Sequence, residues 1–182
     1  MTLIDLMIGI LSDSHDHIEH IQKAVALFEE KKVVRIIHAG DVCSPFVWPF
    51  FRNLHVPIHC VLGNNAGDVV RQQAQAKKFG LDIQFDPFFM EIDHSKRKIA
   101  VHHGDPYSVV EAVAACQKYD LVVYGHNHVP KIHSVGKTQL VNPGSLVTKI
   151  KSPLSVLQGP NNPGPSVALY DPVASSAKII FL

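Results

Sequence analysis

"LMIGILSDSHDH", residues 6 to 17, changes abruptly from apolar to polar halfway along its length. The apolar half, residues 6–11, is too short for a signal peptide or a membrane span and is typical of a strand buried on both faces. The polar half contains Asp13 and His15 directly after that strand. The stretch therefore predicts a buried strand that delivers a carboxylate and an imidazole to its carboxyl end.

A helix is predicted immediately after this polar loop. Asp16 fits the N-cap position, and Glu19 follows three residues later, as in a capping box. The apolar residues of the segment repeat at the helical period and form one face; they are Ile18, Ile21, Val25 and Phe28. The order is therefore strand, polar loop, helix.

The same order recurs twice in the first half of the chain, which predicts an α/β fold with a parallel sheet. The repeats are "VVRIIHAG" (33–40) with an aromatic segment at 46–54, and "IHCVLG" (58–63) with a polar helix at 68–79. In such a sheet the loops gather at the carboxyl ends of the strands.

The second half predicts mixed pairing. A hairpin joins 88–92 to 98–103, a helix follows at 108–118, and 120–125 reads as another buried strand; further strands are predicted at 131–135, 138–142, 166–171 and 177–182. Residues 150–166, between the predicted strand 138–142 and the start of the strand 166–171, hold four of the twelve prolines and two of the eleven glycines. We interpret this segment as a long irregular loop, because too little chain follows it to fold alone.

Length and composition predict a single domain over residues 1–182, with 46% hydrophobic residues available for its core. A net charge of +1 provides no basic stripe for nucleic acid. We expect a cytoplasmic protein without a membrane segment, and its length and composition are compatible with a homo-oligomer. Cys43, Cys60 and Cys116 have no CxxC spacing, so we expect buried free thiols rather than disulfides or a thiolate zinc site.

Five predicted strands end in side chains that can bind metal. These are Asp13 and His15, then Asp41, Asn64, His103, and finally His126 with His128. Carboxylate, amide and imidazole donors together suit Mn²⁺, Fe²⁺ or Zn²⁺ better than softer ions. Seven ligands exceed the need of one ion, so two ions are predicted. Asp41 is the natural bridge between them, because ligands precede and follow it in the chain.

Two such ions would activate a water between them and neutralise the charge of a phosphate ester. His126 and His128 are two residues apart, and they would point to the same side if the chain between them were extended. The sequence therefore predicts hydrolysis of phosphate esters at the carboxyl edge of the sheet.

The ordered blocks "DSH", "GDV", "GNN", "HHG" and "GHNH" resemble those of the calcineurin-like metallophosphoesterase superfamily. The short chain and "NPGS" at 142–145 resemble its small branch, which contains phosphodiesterases and the retromer subunit Vps29. The resemblance covers residues 7 to 182 and implies a four-layer α/β/β/α sandwich of two mixed sheets.

The resemblance also implies how the seven ligands divide between two metal ions. The first site would consist of Asp13, His15, Asp41 and His128, and the second of Asp41, Asn64, His103 and His126. It implies two divalent transition-metal ions, with Mn²⁺ favoured and Zn²⁺, Fe²⁺ or Ni²⁺ as alternatives. A hydroxide bridging the ions would attack a small phosphodiester.

The other eight histidines are interpreted as structural. They are His17, His20, His38, His55, His59, His94, His102 and His133, with His17 and His20 expected on an exposed part of the helix. His102 is the first exception to consider, because a register error of one residue would exchange it with His103. "NPGS" is read as a turn.

The chain departs from the family pattern beside the predicted ligands. Asn65 stands where many members carry a histidine that protonates the leaving group, Ala66 where the small branch often has a carboxylate, and Asp105 where a second histidine is usual. Asn65 is our candidate contact to the leaving group or phosphate. We expect a phosphodiesterase, with a Vps29-like interaction module as the alternative and a phosphomonoesterase as the weaker third reading.

Overall fold

The computed structural model describes residues 6–147 and 163–182. The larger part of the predicted loop at 150–166 lies outside the described residues. Eleven strands within these two ranges form two mixed sheets, as the resemblance implied. None of the described helices has the length and apolar character needed to cross a membrane.

The first sheet has six strands in the order β11-β10-β1-β2-β3-β4. Its strands are β1 (Ile8–Leu11), β2 (Arg35–His38), β3 (Ile58–Val61), β4 (Ile83–Asp86), β10 (Ser166–Asp171) and β11 (Ser176–Phe181). Strands β1 to β4 pair in parallel, whereas β10 runs antiparallel to both β1 and β11. The parallel strands are joined by helical connections, as the alternating pattern predicted.

The second sheet has five strands in the order β5-β6-β7-β9-β8. Its strands are β5 (Phe89–His94), β6 (Arg97–His102), β7 (Leu121–Val123), β8 (Lys131–Val135) and β9 (Thr138–Asn142). The predicted hairpin is confirmed as the antiparallel pair β5 and β6, and the turn at Gly136 joins β8 to β9. Strands β6, β7 and β9 are parallel.

Within residues 6–147 and 163–182, three α-helices and one 3₁₀ helix cover the outer faces of the sheets. They are α1 (Ile18–Glu30), the 3₁₀ helix (Pro45–Phe51), α2 (Val69–Lys78) and α3 (Tyr107–Ala115). One apolar core joins α1 and the 3₁₀ helix to the first sheet, a second lies between the sheets, and a third joins α3 to the second sheet. This stacking is the four-layer sandwich that the resemblance implied.

Three local expectations were wrong. Helix α1 begins at Ile18 without a side-chain cap, because the Asp16 carboxylate instead accepts a hydrogen bond from the Ser44 backbone N–H at 2.9 Å. Ile18 is exposed, whereas the rest of the predicted apolar face is buried. Cys116 is exposed rather than buried.

Strand β4 was not predicted. It lies at the edge of the sheet, where Gln84 is exposed and the other three side chains are only partly buried, and Pro87 follows it directly. A short edge strand carries too few buried residues to produce a clear apolar run.

Candidate metal centre

The carboxyl ends of β1, β2, β3, β6 and β7 meet at one edge of the sandwich, where both sheets contribute loops. All seven predicted ligands lie in these loops. Their donor atoms form two adjacent clusters that share Asp41.

The first cluster contains Asp13, His15, Asp41 and His128. The Nε2 atoms of His15 and His128 lie 3.2 Å apart. His128 Nε2 lies 3.3 Å from Asp13 Oδ1, and His15 Nε2 lies 3.5 Å from Asp41 Oδ2. Four nitrogen and oxygen donors from three loops therefore point toward a common centre.

The second cluster contains Asp41, Asn64, His103 and His126. The Asn64 Oδ1 atom lies 2.8 Å from His103 Nε2 and 3.0 Å from His126 Nδ1. His103 Nε2 is also 3.4 Å from Asp41 Oδ1. The two carboxylate oxygens of Asp41 therefore face different clusters, which is the geometry that a bridging ligand requires.

A cation suits the first cluster because the cluster contains a buried carboxylate oxygen without a hydrogen-bond partner. Asp13 Oδ2 accepts hydrogen bonds from Ser12 Oγ at 2.6 Å and from the His126 N–H at 2.9 Å. Asp13 Oδ1 has no hydrogen-bond partner among the described residues, although it is fully buried. An unpaired buried carboxylate oxygen is unfavourable, and a metal ion would compensate it.

The tautomer of His103 also favours metal binding. Its Nδ1–H donates to the carbonyl oxygen of Ala39 at 2.8 Å. In the neutral imidazole this bond leaves Nε2 without a hydrogen, and Nε2 is the atom that faces Asp41 and Asn64. The backbone of one sheet thus orients a ligand that is carried by the other.

Electrostatics favour an ionised carboxylate at Asp41. Burial alone would raise its pKa, but hydrogen bonds from His103 and Asn65 outweigh burial and hold the pKa well below its ordinary value. Burial lowers the pKa of His103, yet the Asp41 hydrogen bond and the nearby carboxylates raise it overall. The negative charge of the centre therefore attracts a cation, whether a proton on His103 or a metal ion.

The backbone is strained at most of the ligands. Five of the seven have positive φ: Asp13 (50°), His15 (39°), Asp41 (61°), His126 (72°) and His128 (60°). Residues with a side chain rarely adopt this left-handed region, and such strain is concentrated at functional sites. The chain between His126 and His128 is thus not extended. The two imidazoles reach the same cleft by tight turns rather than by strand alternation.

The two clusters differ in exposure. The first is enclosed, with Asp13 and His128 buried, whereas Asn64 and His126 of the second are exposed. The second cluster is therefore the more open to solvent, at Asn64 and His126.

Asn65 contacts the carboxylate of Asp41, which the two clusters share. Its backbone N–H donates to Asp41 Oδ1 and its side-chain amide donates to Asp41 Oδ2, both at 2.8 Å. The residue is exposed at the edge of the cleft. Asn65 therefore lies beside the centre, bound to the carboxylate that the two clusters share.

The histidines interpreted as structural include two that flank the centre. His38 and His102 are buried and belong to neither cluster, and each accepts a hydrogen bond through Nδ1 from the N–H of the glycine two residues later. His102 is therefore not the exception that the sequence left open. His20 corrects another expectation, because it is buried and donates from Nδ1 to the Leu146 carbonyl at 2.7 Å.

Several supporting residues were not found from the sequence. Gln72 is fully buried in α2, and its amide donates to the Val42 carbonyl at 2.7 Å while its Oε1 accepts from Trp48. Cys43 places its thiol 3.5 Å from His15 Nδ1. Gln72 could have been found in the sequence as a polar residue at a position where the helical repeat predicts an apolar one. No feature of the sequence marks Cys43 as a neighbour of His15.

The described fold and centre together define a metallophosphoesterase. Residues 6–158 match the family model of the calcineurin-like phosphoesterase superfamily domain. The chain belongs to this family.

Two archaeal relatives support the assignment. The chain is similar to phosphodiesterase MJ0936 of Methanocaldococcus jannaschii, with 36% identity over 140 residues, which cover 76% of this chain and 83% of the relative. It is also similar to a probable metallophosphoesterase of Methanothermobacter thermautotrophicus, with 28% identity over 148 residues, or 77% of each chain.

Solved structures show the same fold. A novel archaeal phosphodiesterase superimposes with a TM-score of 0.84 at 30% identity, covering 97% of this chain and 100% of that one. Vps29 of Entamoeba histolytica complexed with Zn²⁺ gives a TM-score of 0.64 at 19% identity, with 96% and 97% coverage. The second likeness concerns the fold alone.

Proposed function

We propose that this protein is a two-metal phosphodiesterase that hydrolyses small phosphodiesters. The observation that carries the proposal is the convergence of seven nitrogen and oxygen donors on two clusters joined by Asp41. When bound, two divalent ions would activate water and neutralise the charge on the phosphate.

The chain's own residues would orient both the ions and the substrate. Asp13 and His128 hold the enclosed side of the centre, whereas the exposed Asn64 and His126 face the side from which a phosphate can arrive. A bridging Asp41 would set the separation between the ions. The mixed donor set supports Mn²⁺ as the favoured ion, with Zn²⁺, Fe²⁺ or Ni²⁺ as alternatives.

An interaction module of the Vps29 kind is the alternative from the same fold. A binding surface has no chemical need for seven convergent ligands, or for the strained backbone at five of them. The centre therefore supports the enzyme. The sequence-based expectations of a cytoplasmic location and a single domain stay predictions.

Turnover of bis-p-nitrophenyl phosphate tests the proposed activity. Protein stripped with a chelator should be inactive and should recover activity when Mn²⁺ is added. His128→Asn should prevent the recovery, whereas His133→Asn, a histidine in β8 outside the centre, should recover like wild type. Lack of turnover with every divalent ion, or full turnover in excess chelator, would contradict the proposal and favour the interaction module.

We further propose that Asn65 contacts the leaving group or phosphate without supplying a proton. An amide cannot protonate a departing alkoxide, and general acid assistance is typically worth about 10²- to 10⁴-fold. Esters with good leaving groups should therefore be the better substrates. The proposal also takes diesters as better substrates than monoesters, and similarity to a relative named as a phosphodiesterase supports that preference.

Asn65→His tests this role through a ratio of two rates. The variant should raise kcat/KM for an alkyl phosphodiester more than for bis-p-nitrophenyl phosphate, because only the poor leaving group needs a proton. Equal gains on both esters would argue against the role. So would a wild-type enzyme that already hydrolyses alkyl and nitrophenyl esters equally fast.

A further inference from the structure

We propose that Asn142 is a positioning residue for both metal sites, because one buried amide holds the loop that carries His126 and His128. Asn142 ends strand β9 and is fully buried. It belongs to "NPGS", for which the sequence predicted only a turn. Its side chain is hydrogen-bonded to Gly125, Asn127 and Gly144, none of which is a predicted metal ligand.

The amide group of Asn142 joins two points of the histidine loop. Its Nδ2 donates to the Gly125 carbonyl at 3.0 Å and to Asn127 Oδ1 at 2.9 Å. These acceptors lie on either side of His126. Asn127 Oδ1 also accepts from the Val129 N–H at 2.9 Å, so the same contact reaches past His128.

The orientation of this amide is fixed by its third hydrogen bond. Asn142 Oδ1 accepts from the Gly144 N–H at 2.9 Å, which assigns the oxygen to the turn and the nitrogen to the loop. Both hydrogens of Nδ2 and the oxygen are then used. A fully satisfied buried amide specifies a single geometry, because any other arrangement leaves polar groups unpaired.

The loop requires such support because its geometry is unfavourable by itself. His126 and His128 have φ values of 72° and 60°, in the left-handed region that residues with a side chain rarely adopt. His126 also donates its backbone N–H to Asp13 Oδ2. Displacement of the loop would therefore disturb one ligand of each cluster and the orientation of Asp13 in the first.

Two substitutions separate this role from that of the turn. Asn142→Asp keeps the oxygen that accepts from Gly144 but places a second acceptor against the Gly125 carbonyl and Asn127 Oδ1. A residue needed only for the turn would tolerate that change. Asn127→Ala removes the other partner from an exposed position, so folding should survive even if the buried variant does not fold.

Amide hydrogen exchange of the metal-free protein is the first measurement, and it does not depend on the proposed activity. We expect faster exchange over residues 125–129 in both variants. The second measurement is Mn²⁺ affinity by titration calorimetry, and this part rests on the proposed function. Loss of support around metal ligands typically weakens affinity about 10- to 100-fold, and we expect that loss at both sites.

Thr138→Val is the matched control. Thr138 is fully buried on the same strand, and its Oγ1 donates to the Tyr119 carbonyl at 2.7 Å. Its loss should lower stability but leave loop exchange and metal affinity at wild-type values. Wild-type exchange and affinity in folded Asn142→Asp would overturn the proposal, as would wild-type values in Asn127→Ala if Asn142→Asp does not fold. If the wild type binds no Mn²⁺, the proposed function fails, and hydrogen exchange alone decides this inference.

Discussion

Two strand ends in this molecule carry almost the same four residues: "HAGD" at 38–41 after β2, and "HHGD" at 102–105 after β6. Their backbones turn alike. The first histidine of each accepts a hydrogen bond from the glycine N–H, at 3.2 Å in the first and 3.0 Å in the second. Both glycines have φ near the same positive value, 108° at Gly40 and 112° at Gly104.

The two turns nevertheless provide different ligands. In "HAGD" the predicted ligand is the fourth residue, Asp41, whereas in "HHGD" it is the second, His103. The second position of each turn points between the sheets, where Ala39 belongs to the inter-sheet core. Local sequence thus determines the turn, whereas packing of the two sheets determines which side chain reaches the centre.

The turns also fit against each other directly. His103 donates to the Ala39 carbonyl, and a Cβ atom at Gly40 would lie 2.4 Å from His103 Nδ1. The missing side chain of Gly40 therefore makes room for the imidazole from the opposite sheet. Asp105, the counterpart of Asp41, is exposed instead.

The largest expected effect distinguishes the two aspartates. Asp41→Asn removes the shared negative charge from both clusters, so activity should fall at least about 10³-fold, as for loss of a major electrostatic contact. Asn64→Ala affects one cluster and should cost less. The fold should survive in Asp41→Asn, because asparagine is nearly isosteric with aspartate and leaves the apolar core clusters around the loop unchanged. Activity assays together with thermal unfolding measure both effects.

Asp105→Asn is the control for this prediction and should keep the metal content of the wild type. Equal activity losses in Asp41→Asn and Asn64→Ala would argue against a bridging role. Loss of cooperative unfolding in Asp41→Asn would do the same.

An intermediate effect is expected at the two glycines. Each alanine substitution places a side chain at positive φ and should destabilise the fold by about 1–3 kcal/mol. Gly40→Ala also displaces His103, whereas the Cβ of Gly104→Ala meets the Gly125 carbonyl at 3.0 Å, a less severe contact. Mn²⁺ affinity should therefore fall further in Gly40→Ala. Equal affinities at equal loss of stability would contradict the proposed fit between the turns.

The smallest effect concerns His102. His102→Leu leaves the buried Gly104 N–H without its acceptor, which should cost about 1 kcal/mol in the free energy of unfolding. His102→Asn can still accept that bond and should recover part of the loss. Denaturant titration measures both variants, and Mn²⁺ binding should stay unchanged in each. Weakened metal binding in His102→Asn would show that His102 has been wrongly excluded from the centre.

Strand patterns predicted an α/β fold with a parallel sheet and mixed pairing in the second half of the chain, because buried strands ending in polar residues are visible as patterns, whereas the arrangement of two sheets in four layers was implied by the family resemblance. The described residues confirm the strands that begin at Ile8, Arg35, Ile58 and Leu121 within a few residues. The short, partly buried edge strand β4 produced no such pattern. Asp16 was misread because its carboxylate binds Ser44, a contact that depends on tertiary structure.

The supporting network of the centre could not be predicted for the same reason. Asn142, Gln72 and Ala39 act through contacts with residues distant in sequence, so neither spacing nor residue type reveals their partners. The strained backbone at His126 and His128 was also invisible, because strand alternation suggested an extended chain there. Pattern reasoning located the ligands, whereas packing was needed to explain how they are held.

The number of Mn²⁺ ions bound per chain is the decisive test of the proposed centre of two metal ions. Elemental analysis after reconstitution and removal of free metal should give about two ions for wild type and for His102→Asn. His103→Asn should retain about one, because the first cluster keeps all four of its ligands. A wild-type metal content near zero would contradict the proposed centre of two metal ions. Equal metal contents in wild type and His103→Asn would contradict it as well.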